Sequence, residues 1–460
     1  MAISFILVVL VLVVCAAYAT ENTTVASPVF DDLVISAHKE LDAKMIMKVF
    51  KLLNRYYNQT AATGVHLSSI VQLSDPARRN MLCRVSYETP WLPVKSHTVI
   101  LKQTAKAKSA ADTSERLARD WTGLEFFNKV PALRGHVPLF YGGSRAFQFI
   151  LMEDLGPNPV TLGIYLTNTS FADPDSAADA IRHFMKILGR MHAASYPGVR
   201  LFDEMLHDLD DKLPSWKAYV HNHYRKMRKY VNFTANSLQL AHPPALYTEI
   251  QHMTNRTMAP GLFTSVLHAD LCPDNVVFST ASRRAYLFDF EWSETRSVFL
   301  DMTQLRMGMP GCWCSGTVPE AVLLDAEAVY RAELAKAIPE AKNDQKYYSA
   351  YIDACGFRAM KAFEIIKSLV KHDLDAAELT NDQRTRIAKS MRVAVSRLEL
   401  FIEANEGHNF LPHVMNLVSA TLHRLRSLWD TGAKSVPLFT VFDENTVQPT
   451  LNVEAHESDR

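Results

Sequence analysis

The chain has 460 residues, 48% of them apolar, which is enough to bury a large core and to fold as two or three compact units. Its 49 basic and 49 acidic residues cancel, and no long basic run occurs, so nothing supports a nucleic-acid surface. Of six cysteines, Cys15 lies in the N-terminal apolar run, and the odd remainder defines no disulfide framework.

In chain order, Ile3 to Ala17 is almost wholly apolar, and Ala17-Tyr18-Ala19 offers a small-residue cleavage site before Thr20. This stretch resembles a secretory signal peptide over residues 1–19 and points to the secretory pathway or the exterior. The alternative is an uncleaved membrane anchor, for which the run is a little shorter than the ~20 residues of a comfortable span. Asn-x-Ser/Thr sites at Asn22, Asn58, Asn168, Asn232 and Asn255 permit glycosylation. Residues 20–62 read as a helical extension. Ile70 to Leu73 and Met81 to Ser86 read as strands joined by a glycine-free loop from Ser74 to Asn80, and Ser96 to Lys102 is a β-rich run ending in a lysine. A capping box at Asp112-Thr-Ser-Glu115 is expected to open a helix with Leu117, Trp121 and Leu124 inward and Asp120 beside them. Phe147 to Met152 reads as a strand that meets the breaker Glu153-Asp154-Leu155-Gly156, with a domain boundary near residue 155. Ala177 to Ser195 has helical periodicity, with His192 expected as a packed core histidine. Asp208 to Asp211 reads as a solvated loop, Glu320 to Arg426 as a set of helices, and 431–460 as an irregular tail.

The chemistry concentrates at His268-Ala-Asp270-Leu-Cys-Pro-Asp-Asn275, followed fourteen residues after Asn275 by Asp289-Phe-Glu291. Ser265 to Leu267 reads as a strand delivering His268 and Asp270. Val276 to Ser279 and Ala285 to Phe288 are apolar runs around a polar turn, the signal of a β-hairpin. Such a hairpin would bring Asn275 and Asp289 back toward one cation, as oxygen ligands suited to magnesium. An aspartate that orients a hydroxyl, with two oxygen ligands for a metal, suits phosphoryl transfer, where positioning and charge neutralisation carry most of the catalysis. A metal hydrolase is disfavoured, because no His-Glu-x-x-His or paired Cys-x-x-Cys occurs.

HADLCPDN followed by FDFEW resembles the signature of the aminoglycoside phosphotransferase and choline kinase superfamily, whose members resemble protein kinases in fold. The resemblance implies an α+β, bilobal protein-kinase-like fold with a small β-rich N-lobe over 63–155 and a larger, mainly helical C-lobe over 156–430. It implies Asp270 as catalytic base, His268 as scaffold of the catalytic loop, and Asn275 and Asp289 as magnesium ligands. Glu291 is left to support the metal or to face substrate, with Trp292 or Trp313 available to a cationic acceptor. Lys102 corresponds to the strand lysine on the nucleotide phosphates, with Asp120 or Glu115 as its acidic partner. Ser74 and Asn80 fall in the phosphate loop, Glu153 and Leu155 in the adenine-contacting hinge. Asp301 matches a family aspartate that braces the catalytic loop.

The implied cofactors are ATP and Mg2+, and the implied partner is a small hydroxyl-bearing metabolite. A kinase-shaped binding protein without turnover is the alternative, suggested by the glycine-free loop, the short acid at Asp120 and the secretory leader. Protein-kinase activity lacks an Ala-Pro-Glu-like segment after Asp289.

Overall fold

The computed structural model describes residues 33–37, 41–60, 63–75, 78–94, 96–104, 109–279, 284–309, 312, 314–371, 380–428 and 437–443. The apolar N-terminal run, Asn22, Trp313 and residues 444–460 lie outside the described residues. The chain divides into two compact units, one of Met1–Pro159, Arg200–Leu213 and Tyr286–Glu294, the other of Val160–Val199, Pro214–Ala285 and Thr295–Arg460. The class is α+β, as expected: a sheet dominates the first unit and helices the second.

The first unit is built on a six-stranded sheet in the order β1-β2-β3-β4-β6-β5. The strands are β1 (Val34–Ser36), β2 (His66–Gln72), β3 (Asn80–Glu88), β4 (Ser96–Thr104), β5 (Phe140–Ser144) and β6 (Phe149–Glu153). On β3, Met81, Cys83, Val85 and Tyr87 are buried and alternate with more exposed neighbours, the period of a strand with one face on a core. Helix α1 (Ala43–Tyr56) lays Met45, Ile46, Val49, Phe50 and Leu53 against Leu67, Val85, Tyr87 and Leu101. Asp42 caps it by accepting from the Lys44 N–H at 2.7 Å.

Residues 20–62 are therefore not simply a helical extension. The β-branched pair Val34-Ile35 forms β1 and pairs in parallel with β2, and α1 shares the core of the sheet.

Three further expectations shift. The strand expected from Phe147 begins at Phe149, because Arg145 to Gln148 make a hairpin turn with Gln148 at φ 53°, and the glycine-bearing segment Phe140–Ser144 is its antiparallel partner. The helix expected from Asp112 opens earlier. Helix α2 (Ala110–Asn128) is capped by Ser109, whose hydroxyl accepts from the Asp112 N–H at 3.1 Å. Asp208 lies in the last turn of helix α5 (Val199–Leu209), and Asp210 is buried with its carboxylate on the Lys212 N–H at 3.1 Å, so only Asp211 of this stretch sits in an exposed turn.

In the second unit, helix α4 (Pro174–Ser195) follows the short α3 (Leu162–Thr167) and is capped by Asp173, which accepts from the Ser176 N–H at 2.7 Å. It packs on the helix Glu320–Leu334 so closely that a Cβ at Gly189 would lie 2.8 Å from the Tyr330 carbonyl oxygen. Between these helices in sequence come Trp216–Ser237, Pro244–Met258 and Phe299–Arg306, and four more follow at Asp344–Met360, Ala362–Lys371, Asn381–Ala404 and Pro412–Leu428. Strand β7 (Thr264–Leu267) pairs with β10 (Glu294–Ser297), and β8 (Val276–Ser279) with β9 (Arg284–Leu287), the hairpin read from the sequence. Among the described residues no helix is long and apolar enough to cross a membrane.

Candidate active site

Lys102 stands near the end of β4 and is 4% exposed. Its ammonium lies 2.6 Å from an Asp120 carboxylate oxygen and 2.5 Å from one of Asp289. Burial alone would lower this lysine's pKa, but the carboxylates of Asp120, Asp289 and Glu291 raise it above the ordinary value, so the ammonium stays charged. Asp120 is raised in turn, by burial first and then by Asp289 and Glu291 against the pull of Lys102.

The other oxygen of Asp120 accepts from the Phe290 N–H at 2.9 Å, so one carboxylate ties α2 both to β4 and to the 289–291 segment. An aspartate reaches because the helix approaches closely. A Cβ at Gly123, one turn along α2, would lie 2.6 Å from Phe290 Cβ. That close approach offsets the roughly 1 kcal/mol a glycine costs inside a helix. Glu115, the other candidate partner for Lys102, pairs with Arg119 at 3.0 Å instead. Asp289 has φ 69°, a left-handed conformation that few non-glycine residues hold outside functional sites. Its side chain is 28% exposed against 5% for Asp120, which makes Asp289 the carboxylate that solvent and ligands reach.

Glu291, 4% exposed, is enclosed by cations and an amide of its own unit. Arg79 donates to it, Arg116 donates at 3.1 Å, and the Asn80 amide at 3.3 Å. The Arg116 guanidinium also lies 4.3 Å from the centre of the Trp292 ring, so the cation on that ring is the chain's own arginine. The glycine-free loop is thus anchored through charged side chains. Ser74 contributes otherwise: its hydroxyl accepts from the Leu82 N–H at 3.0 Å and closes the turn between β2 and β3. At the end of β6, Glu153 accepts from the Leu139 N–H at 3.0 Å, and half-buried Leu155 follows. Asp154 pairs with Arg84 at 2.5 Å, and Arg84 also donates to the Gly156 carbonyl at 2.8 Å.

Asp270 and Asn275 belong to the second unit, whereas Asp289 belongs to the first. Strand β7 delivers His268, which is fully buried, into a loop where Ala269 has φ 62°. Asp301, in the first turn of the helix Phe299–Arg306, accepts from the His268 N–H at 2.8 Å and the Ala269 N–H at 3.0 Å. Its carboxylate also lies 3.3 Å from His192 Nε2, and His192 Nδ1 is 2.8 Å from the Tyr330 hydroxyl. A chain of buried polar groups thus fixes the backbone before Asp270. The Asn275 side-chain N–H2 donates to the Asp270 carbonyl at 2.7 Å, so its amide oxygen is the atom that could accept a cation.

Three features of this site escape sequence reasoning. Arg116 could have been sought one turn before Asp120 on the same helix, but its partner Glu291 is 175 residues away. Gly123 carries no chemical signal of its own. The third is a group of thiols: Cys312 and Cys314 hold the Cys272 thiol below the usual range, against the opposing effect of burial. Forty residues separate Cys272 from Cys312, and no spacing rule joins them.

The family model described as the phosphotransferase enzyme family (APH) matches residues 98–302. No curated protein matches the chain. Among solved structures, an ethanolamine kinase of Plasmodium vivax is similar at 11% identity and a TM-score of 0.41, over 79% of this chain and 91% of that one. A choline kinase of Cryptosporidium parvum Iowa II is similar at 12% identity and a TM-score of 0.36, over 85% and 98%. The choline kinase LicA of Streptococcus pneumoniae is similar at 14% identity and a TM-score of 0.31, over 84% and 99%. The segment that carries Lys102, Asp120, Asp270, Asn275, Asp289 and Asp301 is the one that matches the phosphotransferase enzyme family.

Proposed function

We propose that the protein is an ATP- and Mg2+-dependent phosphotransferase that moves the γ-phosphate to a hydroxyl of a small molecule. The observation that carries this reading is the buried Lys102 ammonium between Asp120 and Asp289, within a segment that matches a phosphotransferase family. One lysine between two carboxylates leaves a net negative charge that a divalent cation would offset. The more exposed acid, Asp289, is the one on the cation's side.

Among the described residues no group of three or more His, Cys, Asp or Glu side chains is placed to hold a metal. That suits magnesium, which takes few protein ligands and keeps water and phosphate oxygens. Asp289 and the Asn275 amide oxygen would hold it, and when bound it neutralises charge on the β- and γ-phosphates.

In this reading Lys102 anchors the phosphates and Asp120 holds the lysine. Asp270 accepts the proton of the attacking hydroxyl, on a loop that Asp301 keeps in place. Retention of all these groups disfavours a binding protein without turnover. The test is a panel of hydroxyl metabolites with γ-labelled ATP. Label should pass to at least one acceptor and fall by about 10²–10⁴-fold in Asp270→Ala. Transfer by Asp270→Ala at the wild-type rate would defeat the assignment.

The secretory reading is also a proposal. It is supported by Asn58, Asn168, Asn232 and Asn255, all exposed. An endoglycosidase-sensitive mass on protein made in a secretory system tests it, and an unglycosylated chain retained in the cytosol would contradict it.

A further inference from the structure

The helix Trp216–Ser237, in the second unit, carries five lysines and arginines and no acid: Lys217, Arg225, Lys226, Arg228 and Lys229. Met227, Val231, Thr234 and Ala235 turn one face into the core, and all five cations are exposed. Other exposed helical cations of this chain have an acid one turn away, as Arg200 has Glu204 at 2.7 Å and Lys129 has Glu125 at 2.9 Å. In Trp216–Ser237 the neighbours one turn apart are alike. Arg225 is followed by Arg228 three residues on and by Lys229 four residues on, so the face repels itself. None of the five cations has an ion pair among the described residues.

Two of them rest on aromatic rings instead. The Lys217 ammonium lies 5.6 Å from the centre of the Trp216 ring, itself 44% exposed, and the Arg228 guanidinium 5.7 Å from that of Tyr247. The helix Ala362–Lys371 packs alongside and adds a further cation. Its Lys367 ammonium lies 5.0 Å from the ring centre of Tyr230 and 5.6 Å from that of Phe233, the residues four positions after Lys226 and Lys229. Glu364 of the same helix accepts from the Tyr230 hydroxyl at 3.0 Å, one carboxylate beside the four cations from Arg225 to Lys229. Those four fan over roughly 160° of the helix circumference. A polyanion lying along the helix would meet only the row of Arg225 and Lys229. A charged plane can take all four, because the long side chains bend toward it, and Trp216 is the kind of ring that suits the headgroup level.

We propose that this face docks on an anionic phospholipid surface. Charge holds it there without insertion, since the apolar side of the helix is already taken up by the core. The docking rests neither on the phosphotransfer reading nor on residues 1–32. Asn232 is exposed one turn beyond Arg228 and Lys229, so a glycan on it would screen the face.

The test is sedimentation of the full-length protein, made without glycans, with vesicles of phosphatidylcholine alone and with vesicles that also contain phosphatidylserine, at low and at physiological salt. The apolar N-terminal run acts on both vesicles alike, so the ratio of the two partition constants reads the basic face. That ratio should favour the anionic vesicles and shrink as salt is added. Combining Arg225→Gln, Lys226→Gln, Arg228→Gln and Lys229→Gln should lower it by about 10²-fold at low salt, since each cation near a charged surface contributes a several-fold factor. Combining Lys51→Gln, Arg55→Gln, Lys129→Gln and Arg134→Gln removes the same charge from exposed positions of the first unit and should keep the ratio. Equal partitioning of the wild type onto both vesicles, equal loss in both variants, or tighter binding of a heparin fragment or duplex DNA than of the anionic vesicles overturns the proposal. If the first variant does not fold, amide hydrogen exchange of the wild type decides: anionic vesicles should slow it within 216–237, and slowing confined to other segments overturns the proposal.

Discussion

The candidate residues of the two compact units are held by different chemistry. Around Lys102 the positions are set by side-chain charge: an ammonium between Asp120 and Asp289, and Glu291 enclosed by Arg79 and Arg116. Around Asp270 they are set by the backbone, with two consecutive N–H groups on the Asp301 carboxylate and the Asn275 amide on the Asp270 carbonyl. A charge network can exchange partners when a phosphate or a cation arrives, since the newcomer offers the same kind of interaction. A backbone brace has no such substitute and keeps one loop conformation, including the left-handed Ala269. Under the proposed function, the first group would adapt to nucleotide and the second would present a fixed base.

Breaking the charged half should be the costlier change. Lys102→Met leaves the 4%-exposed Asp120 without its buried partner and is expected to lower the unfolding free energy by roughly 3–5 kcal/mol. Adding Asp120→Asn should recover part of the loss, because the orphaned charge goes with it. Denaturant titration of the single and double variants measures both, and a double variant as unstable as the single would show that the charge is not what matters.

Breaking the backbone half costs less in stability. Asp301→Ala strips the acceptor from the His268 and Ala269 N–H groups inside a site where Asp301 is 1% exposed, at about 2–4 kcal/mol. Its effect should also be local: amide hydrogen exchange is expected to speed up at 268–270 and stay unchanged around Lys102. Equal acceleration in both regions would deny the separation.

How legible this was follows the same division. The loop 268–275, the hairpin after it and the β4 lysine could be read from local spacing, because each is a short segment whose residues act through nearby backbone. The core role of Val34–Ser36 and of α1 could not, since it depends on a parallel pairing with β2 more than thirty residues on. Nor could the enclosure of Glu291 by Arg79 and Arg116, because an ion pair carries no sequence periodicity. The choice of Asp120 over Glu115 turned on Gly123, which lets α2 approach Phe290 and so lets a short acid reach.

The smallest effect concerns pH. Burial pushes the Asp154 carboxyl up, but hydrogen bonds from Arg84, Thr98 and the Gly156 N–H hold it below the ordinary 3.8. A depressed carboxylate contributes stability that is present above pH 3.8 and is lost as the pH falls through its lowered value. The gap in thermal midpoint between the wild type and Arg84→Met should therefore be open at neutral pH and close in acid below 3.8. A gap that does not change with pH would mean that Arg84 acts through packing alone.

The most direct test of the phosphotransfer account is the magnesium dependence of ATP binding, read as the shift in thermal midpoint when magnesium is titrated at fixed ATP. The account predicts stabilisation by ATP that grows with magnesium in the wild type and loses that dependence in Asp289→Ala and in Asn275→Ala. Equal stabilisation with and without magnesium, or an unchanged magnesium response in both variants, would contradict it.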